Sequence, residues 1–390
     1  MFAVAAAAHA LTVKIWPDAL FHQIDLEVYR DAVRAPSLYG SGVTGELKFV
    51  YPPFAALLFS PFAALSMDAL RIVWTLVNAA LLIAVVRWCL LRLRGTAPLP
   101  ALALLTGVVF WLDPVRVTFY LGQVNLVLLA LVVWDLLRND GKRWQGVGVG
   151  IAAAIKLTPL LFVVYLLLTR RFRAAGVALG AFAACVGLGF ALRPSDSARF
   201  WFAGTFFDIG RINPVDSTGN HSLRGLTARL LGDGLLGKGL WVAGCLVVLV
   251  ALVAVVRRGH EVQAVALCGM AGAAVSPYSW THHWVWLVPF VVYCSHMVLV
   301  RGDRIAWASG ALAVLVPFGF LTTWPDPASG LIPSSSLASL ESARLLVGNI
   351  YVLLFAVLVV LALKVRDKEA VPAVVLRHGQ QVRVRGLPSP

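Results

Sequence analysis

The chain has 390 residues, 59% of them hydrophobic and only 13% charged, with a mean hydropathy of +0.82. Soluble domains carry roughly 25% charged residues, so a soluble globular protein is excluded and an all-α polytopic membrane protein is expected. The net charge of +14 would suit nucleic acid only as one contiguous basic patch. Instead the bases fall in short clusters between apolar runs: Arg87/Arg92/Arg94, Arg138/Lys142/Arg143, Arg170/Arg171/Arg173, Arg257/Arg258, Arg301/Arg304 and Lys364/Arg366/Lys368. That is the positive-inside pattern of cytoplasmic loops, and no nucleic-acid partner is expected.

In chain order, a first crossing is expected at about 1–14, then an outside loop over about 15–51. YPPFAALLFSPFAALS follows, with three prolines that suit a broken or re-entrant segment. A long helix from about 68 returns inside by Arg92, and helices near 99–113 and 117–137 form a hairpin around Asp113 to Arg116. Residues 145–169 are flanked by bases at both ends and interrupted at Lys156-Leu157-Thr158-Pro159. A short helix up and a short helix down satisfy both flanks. A helix at 174–192 leads to a large outside loop at about 193–238. Further helices are expected near 239–256, 262–276, 283–300, 305–323 and 345–364. The whole reads as one membrane domain, 1–366, of about twelve crossings with both termini cytoplasmic. A basic tail, 367–390, is expected to be disordered.

Six polar stretches then share the outer side: DLEVY (25–29), KFVYPP (48–53), GQVN (122–125), KLTP (156–159), DIGRIN with NHSLRG (208–225) and SPYSWTHH (276–283). Convergence of distant segments on one face suggests a site. Asp25 lies near a helix start with Tyr29 at i+4. It is either a solvated loop acid or a general base against apolar walls. Lys156, inside an apolar segment, must either snorkel to the interface or serve a buried anion. His282 and His283 sit in a Trp-rich helix mouth. Adjacent histidines point about 100° apart on a helix, which favours hydrogen bonding to a phosphate or sugar over shared metal ligation.

Arg211 and Arg224, with Asn220 and Ser222, form a basic cluster suited to phosphate or to clamping a loop. Tyr51, Gln123 and Asn125 complete the candidates for positioning substrate, although Gln123 and Asn125 equally suit interhelical contacts. The five cysteines lie in apolar runs without ligand spacing. No cofactor is expected, and a metal bridging a phosphate and Asp25 stays open. The inside loops are too short to cradle a nucleotide, and no Walker A or HExxH motif is present. An activated substrate must therefore arrive within the membrane, as a lipid-linked donor does.

DLEVY, FVYPPFAALLFSPFAAL, LGQVNLVLLAL, GVGIAAAIKLTPLLF, GNHSLRGL and SPYSWTHHWVWLVP run in this order across residues 25–290. Together they resemble the polyprenol-phosphate-mannose-dependent α-1,2-mannosyltransferases, integral membrane glycosyltransferases of GT-C type typical of mycobacteria and their relatives. The resemblance implies a GT-C fold with outward-facing catalytic loops in the plasma membrane. It implies a polyprenol phosphate mannose donor, a mannosylated lipid or glycan acceptor, and inversion to an α-1,2 product. By position, Asp25 matches the essential acid, as general base, while Lys156, His282 and His283 match motifs placed to stabilise the departing phosphate. His221 stands where the family motif has Gln, which leaves its contact to acceptor open. A GT-C transferase for another lipid-linked sugar or acceptor would keep Asp25 and change the acceptor groove. A lipid or sugar transporter would instead place polar groups along a mid-membrane path.

Overall fold

The computed structural model describes residues 23–40, 47–138, 143–208, 213–317 and 341–364. The first expected crossing, the basic tail and Arg211 lie outside them. The described residues are helical and form no β-sheet.

α1 (Ile24–Arg34) is amphipathic, burying Leu26, Val28, Tyr29 and Ala32. α2 (Pro53–Phe59) starts on a proline, which loses nothing at a helix N-terminus, and tightens into a 3-10 turn at Ser60–Ala64. α3 (Met67–Arg94) is capped by Ser66 and stopped by Gly95 in the left-handed region at φ 72. α4 (Leu99–Phe110), α5 (Asp113–Leu121) and α6 (Asn125–Leu137) follow. The single helix expected over 117–137 is thus two. Gly122, at φ 71, ends α5, and the chain re-enters α6 only at Asn125.

The 145–169 segment is broken as its flanks require. α7 (Val147–Ile155) runs to Lys156, a 3-10 turn covers Thr158–Leu160, and α8 (Leu161–Leu168) returns. α7 wedges between α6 and α9 (Phe172–Leu192) through glycine. A Cβ on Gly150 would stand 2.3 Å from the Ala178 carbonyl, and one on Gly148 2.5 Å from that of Leu131. Buried Asp135 of α6 accepts from the Gly146 and Val149 amides at 2.9 and 3.1 Å, satisfying N–H groups that α7 leaves open.

The expected 193–238 loop contains α10 (Pro194–Phe202) and α11 (Leu223–Leu231). α12 (Leu235–Arg258) is mostly exposed, whereas α13 (Glu261–Val275) is buried from Val262 to Ala274. A 3-10 turn (Thr281–Trp284) leads into α14 (Leu287–Arg301), then α15 (Arg304–Leu315) and α16 (Glu341–Lys364). α15 ends eight residues before the boundary expected at 323. Among the described residues, five stretches are long and apolar enough to cross a membrane: α3, α9, α12, Thr281–Arg301 and Leu345–Lys364. The other apolar helices among the described residues are shorter.

Two ends of the bundle are distinguishable. At one, Glu261 at the start of α13 pairs with Arg92 from the last turn of α3 at 2.7 Å and with Arg171 ahead of α9. At the other lie the start of α3, the Lys156 break and the turn that follows α13. The candidate site occupies this second end.

Candidate active site

The centre is built around Gln123. Because Gly122 can take φ 71, the chain turns sharply between α5 and α6 and aims Gln123 at α1. The glycine is also required sterically, since a Cβ there would lie 2.7 Å from that of Leu26. The Gly122 carbonyl accepts from Trp74 Nε1 at 2.9 Å, and Gln23 fixes the start of α1 by donating its amide to Tyr120 at 2.8 Å. Gln23 Nε2 also donates to Thr75 Oγ1 at 2.9 Å. These contacts hold three chain segments around one side-chain amide.

Gln123 Nε2 donates to Asp25 Oδ2 at 2.7 Å. An ionised carboxylate only accepts, so the amide orientation is fixed and Oε1 points the other way. There it faces the hydroxyls of Tyr29 and Tyr51, each at 3.0 Å, and Asn125 Nδ2 at 3.4 Å. The two phenols are 2.8 Å apart. Two hydrogens serve three contacts, so either both phenols donate to Gln123 or one donates through the other. Burial and the facing Asp25 push both phenols up, keeping them protonated. Burial also pushes the Asp25 carboxyl up to about 6, opposed by the Gln123 hydrogen bond and, when Lys156 is protonated, by its charge. Asp25 itself is half-buried, its Tyr29 and Gln123 neighbours buried.

From Asn125 the network reaches the cationic side. Lys156 Nζ lies 3.5 Å from Asn125 Oδ1, 2.6 Å from His283 Nε2 and 5.6 Å from the centre of the Tyr51 ring. The helix break explains why: α7 ends at Ile155, and Lys156 adopts an extended backbone that turns its side chain inward. His283 Nδ1 accepts from the Trp280 amide at 3.3 Å. The His282 ring is edge-on to it at 4.8 Å. Trp286 seats the turn on α13, lying so close to Gly269 that a Cβ there would be 1.9 Å from the indole. A cavity of about 20 Å³ beneath, lined by Asn125, Thr158, Gly269, His283 and Trp286, has room for about one water and none for a sugar.

Asp25, Tyr29, Tyr51, Gln123, Asn125, Lys156 and His283 are therefore joined in one network, with His282 beside it. Asn220 and Arg224 are employed elsewhere. Asn220 clamps its loop, donating to Val215 O at 2.9 Å and accepting from the Ser279 and Ser222 amides at 3.1 and 3.3 Å. Arg224 pairs with Asp233 at 2.9 Å and covers the Trp241 ring. His221 is buried, donating through Nδ1 to the Gly348 carbonyl at 3.1 Å and packing on Tyr351. Burial and the nearby Arg229 push it down to about 4. Its contacts tie the loop to α16.

Sequence reasoning missed two supports. Arg229 donates to the carbonyls of Ser217, Asn220 and Gly348 at 2.6, 3.0 and 2.9 Å and to Asn349 Oδ1, locking α11 and the preceding loop to α16. The second is Trp286, which is buried against Gly269 and Phe162. A glycine one tryptophan-width away in space carries no signal along the chain. Among the described residues, no three His, Cys, Asp or Glu come together as a metal cage.

Comparison with known proteins adds independent information. The chain is 37% identical, over 70% of its own length and 70% of the relative's, to a polyprenol-phosphate-mannose-dependent alpha-(1-2)-phosphatidylinositol mannoside mannosyltransferase of Mycobacterium tuberculosis. To a relative of the same description from Mycolicibacterium smegmatis it is 34% identical, covering 88% of this chain and 84% of the other. A pentamannoside mannosyltransferase from that species is 35% identical over 75% of each chain. No solved structure matches. The model of glycosyltransferase family 87 matches residues 49–277, which include Gln123, Asn125 and Lys156, and on these grounds the chain is a glycosyltransferase belonging to family 87.

Proposed function

We propose that this chain transfers mannose from a β-mannosyl phosphopolyprenol to a hydroxyl of a mannosylated glycolipid or glycan. The product is α-1,2-linked and formed with inversion, on the extracytoplasmic side of the plasma membrane. The single observation that carries the reading is the continuous path from Asp25 through Gln123 and Asn125 to Lys156 and His283. One carboxylate and one basic pair stand at its two ends, in a pocket of otherwise neutral groups.

That arrangement suits a single displacement. Asp25 takes the proton of the acceptor hydroxyl as its oxygen attacks the anomeric carbon. The bond to the phosphate oxygen breaks on the opposite face, and the added negative charge of the departing phosphate develops beside Lys156, His282 and His283. Preorganised donors in a dry site stabilise such charge by several kcal/mol. A one-step inversion needs no second carboxylate.

Charge supports the extracytoplasmic placement. Arg92, Arg171 and Glu261 cluster at the opposite end of the bundle from Lys156, and positive clusters favour the cytoplasm. The relatives' names support donor and acceptor class. The test is mannosyl transfer from synthetic β-mannosyl phosphopolyprenol to membrane mannolipids, comparing wild type with Asp25→Asn. Transfer by wild type, an α-1,2 product and its loss in a folded Asp25→Asn variant are expected. Activity retained by the variant would remove Asp25 from the role of base, and no transfer to any mannolipid would point to another sugar or acceptor.

A further inference from the structure

We infer that Lys156 is an uncharged amine in the free enzyme and takes up one proton when an anionic phosphate ester enters the site. The inference deepens the reading above and rests on it, because it assumes that the ligand arriving at this end is a phosphate-linked sugar. Hydrogen counting carries it.

Lys156 Nζ and His283 Nε2 are 2.6 Å apart, so a hydrogen lies between them. On the far side of the ring, His283 Nδ1 is 3.3 Å from the Trp280 amide. A backbone N–H can only donate, so Nδ1 presents its lone pair. A neutral imidazole carries one hydrogen, and it must then be on Nε2, aimed at Lys156. An ammonium has no lone pair to receive it, whereas an amine does. The two hydrogens of that amine are accounted for as well. One faces Asn125 Oδ1 at 3.5 Å, and another faces the Tyr51 ring. To charge Lys156 in this geometry, the imidazole hydrogen would have to move to Nδ1, against the Trp280 amide.

Among the described residues, no carboxylate is in direct contact with the pair. The titratable groups facing the pair are Asp25 from α1, Tyr51, His282 from the same turn and His221 from the loop before α11. Only Asp25 is acidic, and the hydrogen bond its carboxylate accepts comes from Gln123. A phosphodiester changes this balance, since it brings one negative charge that does not titrate near neutral pH. Lys156 then gains a proton from solvent and donates to a phosphate oxygen. The His283 hydrogen moves to Nδ1 at the expense of the Trp280 contact, leaving Nε2 to accept. Net uptake is one proton. The charge so placed on Lys156 favours the ionised form of Asp25 that a base requires. Donor binding would therefore prime both ends of the network at once.

The experiment is isothermal titration of the full-length protein in detergent with a short-chain β-mannosyl phosphopolyprenol and no acceptor. It is run at pH 8 in buffers of different ionisation enthalpy. Uptake of about one proton is expected for wild type, with Kd weakening about tenfold per pH unit in this range, as linkage requires. The uptake should persist in Asp25→Asn, which excludes the carboxyl as its source. It should vanish in Lys156→Arg, whose guanidinium is already charged. Binding without uptake, or uptake that survives in Lys156→Arg, overturns the inference and leaves the proposed function standing. Absence of uptake in wild type overturns the inference even if Lys156→Arg fails to fold. No donor binding by wild type between pH 5 and 9 overturns the functional reading, and this inference with it.

Discussion

Gln123 holds Asp25 by one end of its amide while the other end is saturated by Tyr29 and Tyr51. The amide cannot flip without presenting its oxygen to a carboxylate and its nitrogen to two phenols. Asp25 is thereby given a fixed direction before any substrate arrives.

Replacing Gln123 by Leu should lower kcat by roughly 10- to 100-fold, the scale of one lost hydrogen bond to a charged group. Donor KM should change much less, because the Lys156–His283 end is untouched. A loss confined to donor KM would place Gln123 in donor binding. Steady-state kinetics on the purified variant distinguishes the two.

Activity should fall on acidification along a limb set by Asp25. The base works only when ionised, and its carboxyl is pushed up to about 6. At pH 5 the ionised fraction would then be about a tenth, whereas an ordinary carboxyl near 3.9 would still be mostly ionised. A pH profile of kcat/KM for the acceptor, taken with donor present, should bend near pH 6. A flat profile down to pH 4.5 would count against this role.

Gly269→Ala should destabilise the protein and displace the histidine turn. The new methyl would lie 1.9 Å from the Trp286 indole, and overpacking of a core typically costs about 1–3 kcal/mol. A lowered melting temperature in detergent is expected, with partial recovery when Trp286→Leu is added. An unchanged melting temperature would show that the indole has somewhere to go.

Arg229→Ala should loosen the 213–222 loop from α16. Four oxygen acceptors lose their donor at once, and hydrogen bonds to charged groups contribute roughly 1.5–3 kcal/mol each where buried. Expected readouts are faster hydrogen exchange around 217–222 and lower thermal stability. Arg229→Lys should recover little, because a single ammonium cannot span the same carbonyls.

Much of the site was legible along the chain because its residues violate their surroundings. Asp25 and Tyr29 stand a helical turn apart at the start of an amphipathic helix, and Lys156 interrupts an apolar run beside a proline. Gln123 was visible as a polar residue after a glycine. Its central position was not, since the α5–α6 break depends on the left-handed Gly122 and on Leu26 crowding against it. Arg224 and Asn220 were drawn in by residue type, but Asp233 neutralises the one and four backbone groups occupy the other. Those partners are brought together by the loop's fold, which periodicity does not encode. The first crossing and Arg211 lie outside the described residues, which hold five stretches of full spanning length beside the roughly twelve crossings expected from charge alternation.

Helix α13 carries a geometric consequence. It has 15 residues, hence a length of about 22 Å, against about 30 Å for the hydrocarbon slab. It runs from the Glu261 clamp at one end to the segment bearing His283 at the other. On the proposed topology, with the clamp at the cytoplasmic boundary of the bilayer, the far end of α13 would fall several ångströms short of the opposite boundary. A lipid-linked phosphate would then reach it by sinking below the headgroup plane, a descent that a soluble phosphate ester has no tail to anchor. Selectivity for a tethered donor would then arise from elevation as much as from contact.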